Sequence, residues 1–192
     1  MSSSIAKLVI YPVEPYYAPD DSGIIVQALS DIKFIAGPLS LNDNAQHFLI
    51  GGQFLNYVTF LGCSPAIEIA PPSEGGEDFC HVVISPVYEQ LEFYRDAAGK
   101  GPRCPHCRHE EADWQSLIKK YHAQADAELD YICPECQTVT PLLDLNWHKS
   151  AVAARIFISI YSVFPHEAVL ADKVLQVLTR ATGIEWRYFY SR

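Results

Sequence analysis

The chain has 192 residues, 49% of them hydrophobic and 19% charged, with 14 Lys and Arg against 23 Asp and Glu and a formal net charge of −9. That composition excludes a disordered chain, and no apolar run reaches the roughly 18–20 residues that a membrane helix needs. The charge repels phosphate backbones and anionic membranes over most of the surface and suits basic proteins, basic peptides or metal ions. The stretch Met1–Lys7 lacks the basic start and apolar core of a secretory signal, so a cytoplasmic location is expected.

Lys7 to Val13 reads as a strand, stopped by Pro12, Pro15 and Pro19. Ile24, Ile25, Ala28, Leu29 and Ile32 recur at helical spacing, with Asp21 or Ser22 as the N-cap. Phe54, Leu55, Tyr57, Val58 and Leu61 repeat that spacing, and Gly62 is suited to end the helix. Ala66 to Ala70 and Cys80 to Ser85 read as strands around a Pro- and Gly-rich loop. Leu91 to Arg95 reads as a further strand. The acids Asp20, Asp21, Glu77 and Asp78 fall in loops and read as solvated.

Four of the six cysteines then form two pairs of one pattern, Cys104-Pro105-His106-Cys107 and Cys133-Pro134-Glu135-Cys136. Two intervening residues let the backbone turn tightly enough for both sulfurs to reach one ion at about 2.3 Å, and the proline pre-sets φ at the turn. The stretch 101–141 resembles the zinc-ribbon family, in which two such knuckles bind one structural zinc. The resemblance implies Cys104, Cys107, Cys133 and Cys136 as the ligands of a single Zn²⁺. Where that family commonly has Gly after the second cysteine, this chain has Arg108 and Gln137, and 25 residues separate the pairs. A site closed by four thiolates has no open position for water, so its ion is structural and not catalytic.

Between the knuckles, Trp114, Leu117, Ile118 and Tyr121 predict a helix capped by Asp113, with Ala123, Ala125 and Ala127 further along. His106 and His109 are spare potential ligands. Arg103, Arg108, Lys119 and Lys120 form a basic cluster, offset by Glu110, Glu111, Asp113, Asp126, Glu128 and Asp130.

Arg155 to Val163 is β-branched and aromatic and predicts a strand that Pro165 ends. A helix follows, with Leu170, Val174, Val177, Leu178 and Ala181 on one stripe and Gly183 at its C-terminal cap. Glu185 to Tyr190 alternates as a strand, with Trp186, Tyr188 and Tyr190 on one face and Arg187 and Phe189 on the other. Strand–helix–strand of these lengths predicts a crossover between two parallel strands. The fold class expected is therefore α+β, a mixed β-sheet with packed helices. Residues 1–100 and 142–192 form the core, and 101–141 a zinc-binding insertion that contains a helix.

Cys63 and His81 are the candidates for active chemistry. Cys63 sits in a helix-to-strand turn, and His81 could reach it across the sheet to activate a thiolate. Cys80 and His81, adjacent on a strand, point to opposite faces and form no pair. No phosphate-binding glycine loop and no catalytic-metal or nucleophile-elbow motif is present. The expectation is a non-enzymatic, zinc-containing binding protein whose acidic surface recognises a basic protein partner, of the inhibitor or immunity type. A nucleic-acid-associated regulator, as the zinc-ribbon resemblance implies, is the alternative. A thiol-dependent enzyme using Cys63 is the second.

Overall fold

The computed structural model describes residues 6–41, 43–61, 68–71, 79–95, 100–123, 130–148, 151–163 and 168–191. Its strands are β1 (Lys7–Pro12), β2 (Ile35–Leu39), β3 (Gln46–Ile50), β4 (Val58–Phe60), β5 (His81–Ile84), β6 (Glu92–Arg95), β7 (Asp130–Ile132), β8 (Val139–Pro141), β9 (Ala151–Ala154), β10 (Ile158–Tyr161), β11 (Ala168–Leu170) and β12 (Trp186–Ser191). Its helices are α1 (Gly23–Asp31), α2 (Phe54–Tyr57), α3 (Trp114–Ala123) and α4 (Asp172–Thr182). The combination of helices with largely antiparallel sheet is an α+β architecture. Among the described residues, no helix is long and apolar enough to cross a membrane.

The chain divides into two compact units, one of residues 1–88 and 154–192 and one of residues 89–153. The first is built on a six-stranded sheet in the order β12-β1-β10-β5-β3-β2. Each of its pairings is antiparallel, so the expected mixed sheet is not what forms. The physical reason is the place of β1. Strands β10 and β12, joined through α4, do run in the same direction, but β1 lies between them and is antiparallel to both. The predicted parallel pair is thus split by one strand.

Alternation along each strand puts one set of side chains against the helices. Leu8, Ile10, Val82, Ile84, Ile158, Ile160 and Trp186 meet Ile25 and Leu29 of α1 and Val174 and Leu178 of α4 in a single apolar core. The α1 cap falls as expected in place but not in detail: Asp21 Oδ1 accepts from the Gly23 N–H at 3.0 Å, while the Ser22 side chain caps nothing. At the end of α4, Gly183 takes φ 76°, and its N–H donates to Thr179 O at 2.8 Å, which is the left-handed stop the sequence predicts.

Several elements depart from expectation. The helix expected over 54–61 is a single turn, after which Val58–Phe60 runs as β4 and pairs with β11. Leu170 belongs to β11, ahead of α4 and not in it. For both, a strand partner overrides the helical spacing that short apolar runs share with strands. Glu68 to Ala70 takes no strand, although Glu68 O accepts the Cys80 N–H at 2.7 Å. The strand expected over 155–163 narrows to β10. Strands β2 and β3 carry no clear sequence signal, because Gly37 and Pro38 interrupt β2; its edge position tolerates the missing N–H. Gly62, Cys63, Ala66, Ala125 and Ala127 lie outside the described residues.

The second unit holds β6 paired with β9, the antiparallel hairpin β7–β8, and α3. Residues 89–153 extend past 101–141 at both ends, since β6 and β9 flank that stretch. Its core is small: Cys104, Tyr131, Cys133, Leu142 and Leu145, with Phe93, Leu117, Tyr121 and Trp147 packed against them. The α3 stripe behaves as predicted, burying Trp114 and half-burying Leu117 and Tyr121. Asp113 Oδ1 accepts from the Ser116 hydroxyl at 2.9 Å.

Leu178, with no exposed surface, predicts a loss of about 2–5 kcal/mol for Leu178→Ala, since the space it leaves is only partly refilled. Gly183→Ala should cost about 1–2 kcal/mol, because an alanine resists positive φ. Urea unfolding followed by circular dichroism measures both, and equal losses would contradict this ranking.

Candidate metal centre

The two knuckles are built alike, residue for residue. The N–H of Cys104 donates to His109 O at 2.9 Å, and that of Cys133 to Thr138 O at 3.1 Å. Four residues after each first cysteine the chain turns back, with Arg108 N donating to Cys104 O at 3.0 Å and Gln137 N to Cys133 O at 2.9 Å. Both turning residues are left-handed, Arg108 at φ 65° and Gln137 at φ 58°. The position that glycine commonly fills in zinc ribbons therefore keeps a glycine-like backbone here without a glycine.

This geometry brings the sulfurs of Cys104, Cys107, Cys133 and Cys136 within 4.8 Å of one another. Cys104 and Cys136 lie 3.7 Å apart and Cys107 and Cys133 3.5 Å apart, far beyond a disulfide. Four sulfurs at about 2.3 Å from a tetrahedral zinc would be about 3.8 Å from each other, so the donor set and its spacing fit that ion. Cys104 and Cys133 are buried, whereas Cys107 and Cys136 face outward.

Electrostatics points to the same requirement. The Thr138 hydroxyl, 3.3 Å from Cys136 Sγ, and the Thr138 N–H hold the Cys136 thiol down to about 6. The His109 N–H pulls Cys107 down as well, yet desolvation and the crowding sulfurs of Cys133, Cys136 and Cys104 push it up to about 12. Four thiols this close do not all ionise unless a cation stands among them. The four cysteines are arranged to bind a metal ion, each offering one sulfur.

Other features hold the cluster in place. Tyr131 donates to Glu111 Oε2 at 3.1 Å, and its phenol is raised first by burial and then by that carboxylate. Trp147 Nε1 donates to Leu142 O at 3.1 Å, and Trp147 meets Trp114 edge-on at 5.9 Å. Gly101 makes close approach possible: a Cβ there would sit 2.1 Å from Glu111 O. None of these three features is legible from spacing alone.

The remaining candidates separate. His106 is exposed and His109 reaches Glu135 at 3.9 Å across the two knuckles, so neither joins the four sulfurs. Arg103 pairs with Glu110 at 3.0 Å, which holds that carboxyl below its usual range. Lys119 and Lys120 lie on the exposed side of α3. Cys80 is in the apolar core, and burial raises its thiol to about 12. His81 faces the other side of the sheet, fully buried, with Nδ1 donating to Phe79 O at 2.9 Å and its ring stacked on Tyr161. Cys63, proposed to pair with it, is outside the described residues. One pair the sequence reading missed, despite its i,i+4 spacing, is Asp43 with His47, at 2.9 Å.

Comparison with protein-family models, with curated proteins and with solved structures finds no match to this chain.

Elemental analysis should find one metal ion per chain, and Cys104→Ser or Cys133→Ser should lose it while Cys80→Ser keeps it. A strong chelator should remove protease protection from residues 89–153 and leave cooperative unfolding of the first unit intact. Metal content well below one, with four thiols freely titratable in the native protein, would contradict this. Gly101→Ala should weaken the unit by about 1–3 kcal/mol, read as a lower chelator concentration for half-loss of metal.

Proposed function

We propose that this chain is a zinc-containing binding protein that recognises a basic protein partner, and that its ion is a structural zinc. The single observation that supports this most is the outer face of the β7–β8 hairpin. Ile132 and Val139 are directly cross-strand, and each is more than half exposed, at 60% and 56%. Large apolar side chains rarely stay paired and wet in this way, and such patches mark sites of contact. On the same face Asp130 lies opposite Pro141, and Glu135, in the knuckle that joins the two strands, is well exposed. An apolar centre with an acidic rim, on a chain of net charge −9, suits a partner with an apolar side chain ringed by Lys and Arg.

The metal fits that role. A closed four-thiolate site does no chemistry on a substrate, but it fixes the hairpin that carries Ile132 and Val139. Rigidity of this kind lowers the ordering cost of association. An inhibitor or immunity protein that neutralises a basic partner is the concrete form of this reading.

The test is quantitative affinity capture from the native cell with the wild type and an Ile132→Asp/Val139→Asp variant of unchanged metal content. One stoichiometric, basic protein should be retained by the wild type and bound at least about tenfold more weakly by the variant, a change of about 1.4 kcal/mol. The same proteins captured equally by both would overturn the proposal, as would an acidic partner or none.

A further inference from the structure

A cavity of about 450 Å³ opens beside the first knuckle, lined by Arg103, Cys104, Pro105, Arg108, Asn146 and His148. Its charge is out of keeping with the rest of the molecule. The chain has 23 acids against 14 bases, yet Arg103, Arg108 and His148 are among the six residues that line this cavity and no Asp or Glu is, although Glu110 pairs with Arg103 at 3.0 Å. We propose that it binds the phosphate group of a small phosphorylated ligand, with Arg108 and Arg103 as its main contacts.

The backbone at Arg108 is what carries this. Both knuckles hold a non-glycine residue in the left-handed region, which costs an ordinary L-residue about 1–2 kcal/mol. Gln137 recovers part of that cost locally, because its Nε2 donates to Pro134 O of its own knuckle at 2.9 Å. Among the described residues Arg108 makes no such bond and meets no acid. A glycine at 108 would serve the turn better, so the turn itself gives no reason for an arginine there. His148, also in the lining, is left-handed at φ 50°, with its N–H donating to Asn146 Oδ1 at 3.0 Å.

Arg103 is positioned in advance. Its backbone pairs with Asn146 in both directions at 2.9 Å, and Glu110 Oε2 accepts from its Nε and Nη2 but not from its Nη1. That leaves a guanidinium edge oriented without a further search of rotamers. Two planar guanidiniums offer forked donors to an anion with three or more oxygens, which matches phosphate in charge and geometry. The volume lies in the range of small-molecule sites, about 300–1,000 Å³, and exceeds what a bare anion fills. The ligand therefore carries an organic or second phosphate part beyond the group the arginines hold.

The test uses the metal-loaded protein, with inorganic pyrophosphate and adenosine diphosphate as probes in amide NMR titrations at low salt. Saturable shifts are expected at Arg103, Arg108, Asn146 and His148. Arg108→Gly should melt no lower than the wild type and keep its metal, yet bind either probe at least about tenfold more weakly. Gln137→Gly, the equivalent change in the other knuckle, should leave probe affinity unaltered. The proposal fails if neither probe saturates, if Arg108→Gly binds as the wild type does, or if Gln137→Gly loses as much. It also fails if a 5′-phosphorylated oligonucleotide binds while both small probes do not, since the site would then belong to a nucleic-acid end.

Discussion

Holding four cysteine sulfurs within 4.8 Å of one another is unfavourable unless a cation stands among them, because ionised thiols repel and neutral ones gain little from the contact. The core of the second unit is arranged around that constraint. Two of the five buried residues of its core, Cys104 and Cys133, are themselves sulfur donors. The cluster is thus part of the apolar core as well as an arrangement suited to a metal ion, and the aromatic residues Phe93, Tyr121 and Trp147 pack against that core. A core this small supplies too little apolar burial to stand on its own. Paired backbone bonds at the two knuckles set the sulfur positions, and an ion bound among them would supply the attraction that the side chains lack.

The first unit solves its stability differently. Its sheet and the helices α1 and α4 bury Leu, Ile, Val, Phe and Trp side chains in one continuous core that needs no metal. Where polar groups are buried on the far side of that sheet, they are held by neighbours. His81 donates to a backbone carbonyl and lies between the rings of Phe79 and Tyr161, and His47 is tethered to Asp43. The unit tolerates these groups because their hydrogen bonds replace part of the solvation they lose.

What could be read from the amino-acid order depended on how local the determining forces are. Helix α4 was legible because eleven residues carry one apolar stripe and Gly183 ends it with a conformation few other residues adopt. The clustering of the four cysteines was legible because the pattern of each knuckle is complete within four residues. Val58–Phe60 was misread because its strand is specified by Ala168–Leu170, more than a hundred residues away. The antiparallel sheet was missed for the same reason, since nothing in β10, α4 and β12 announces that β1 will come between them. Arg103 and Arg108 were visible as a basic cluster, but His148 and Asn146 join them only through backbone pairing across the unit. Short strands such as β7 and β8, three residues each, are below the length at which alternation is a signal.

The position of β1 has a consequence for how the chain is made. Lys7 lies beside Tyr161 on one side and Ser191 on the other, so the second strand-bonding edge of β1 waits for the last residues of β12. During synthesis the apolar side chains Leu8, Val9 and Ile10 emerge well before β10 and β12, the strands they pair with. The knuckled segment, by contrast, has all its ligands between residues 104 and 136 and can close as soon as it clears the ribosome and meets an ion. Vectorial synthesis thus favours a nascent chain in which the four-cysteine middle can close while the sheet is still open, with β1 exposed to chaperones and to mispairing until β10 and β12 have been made.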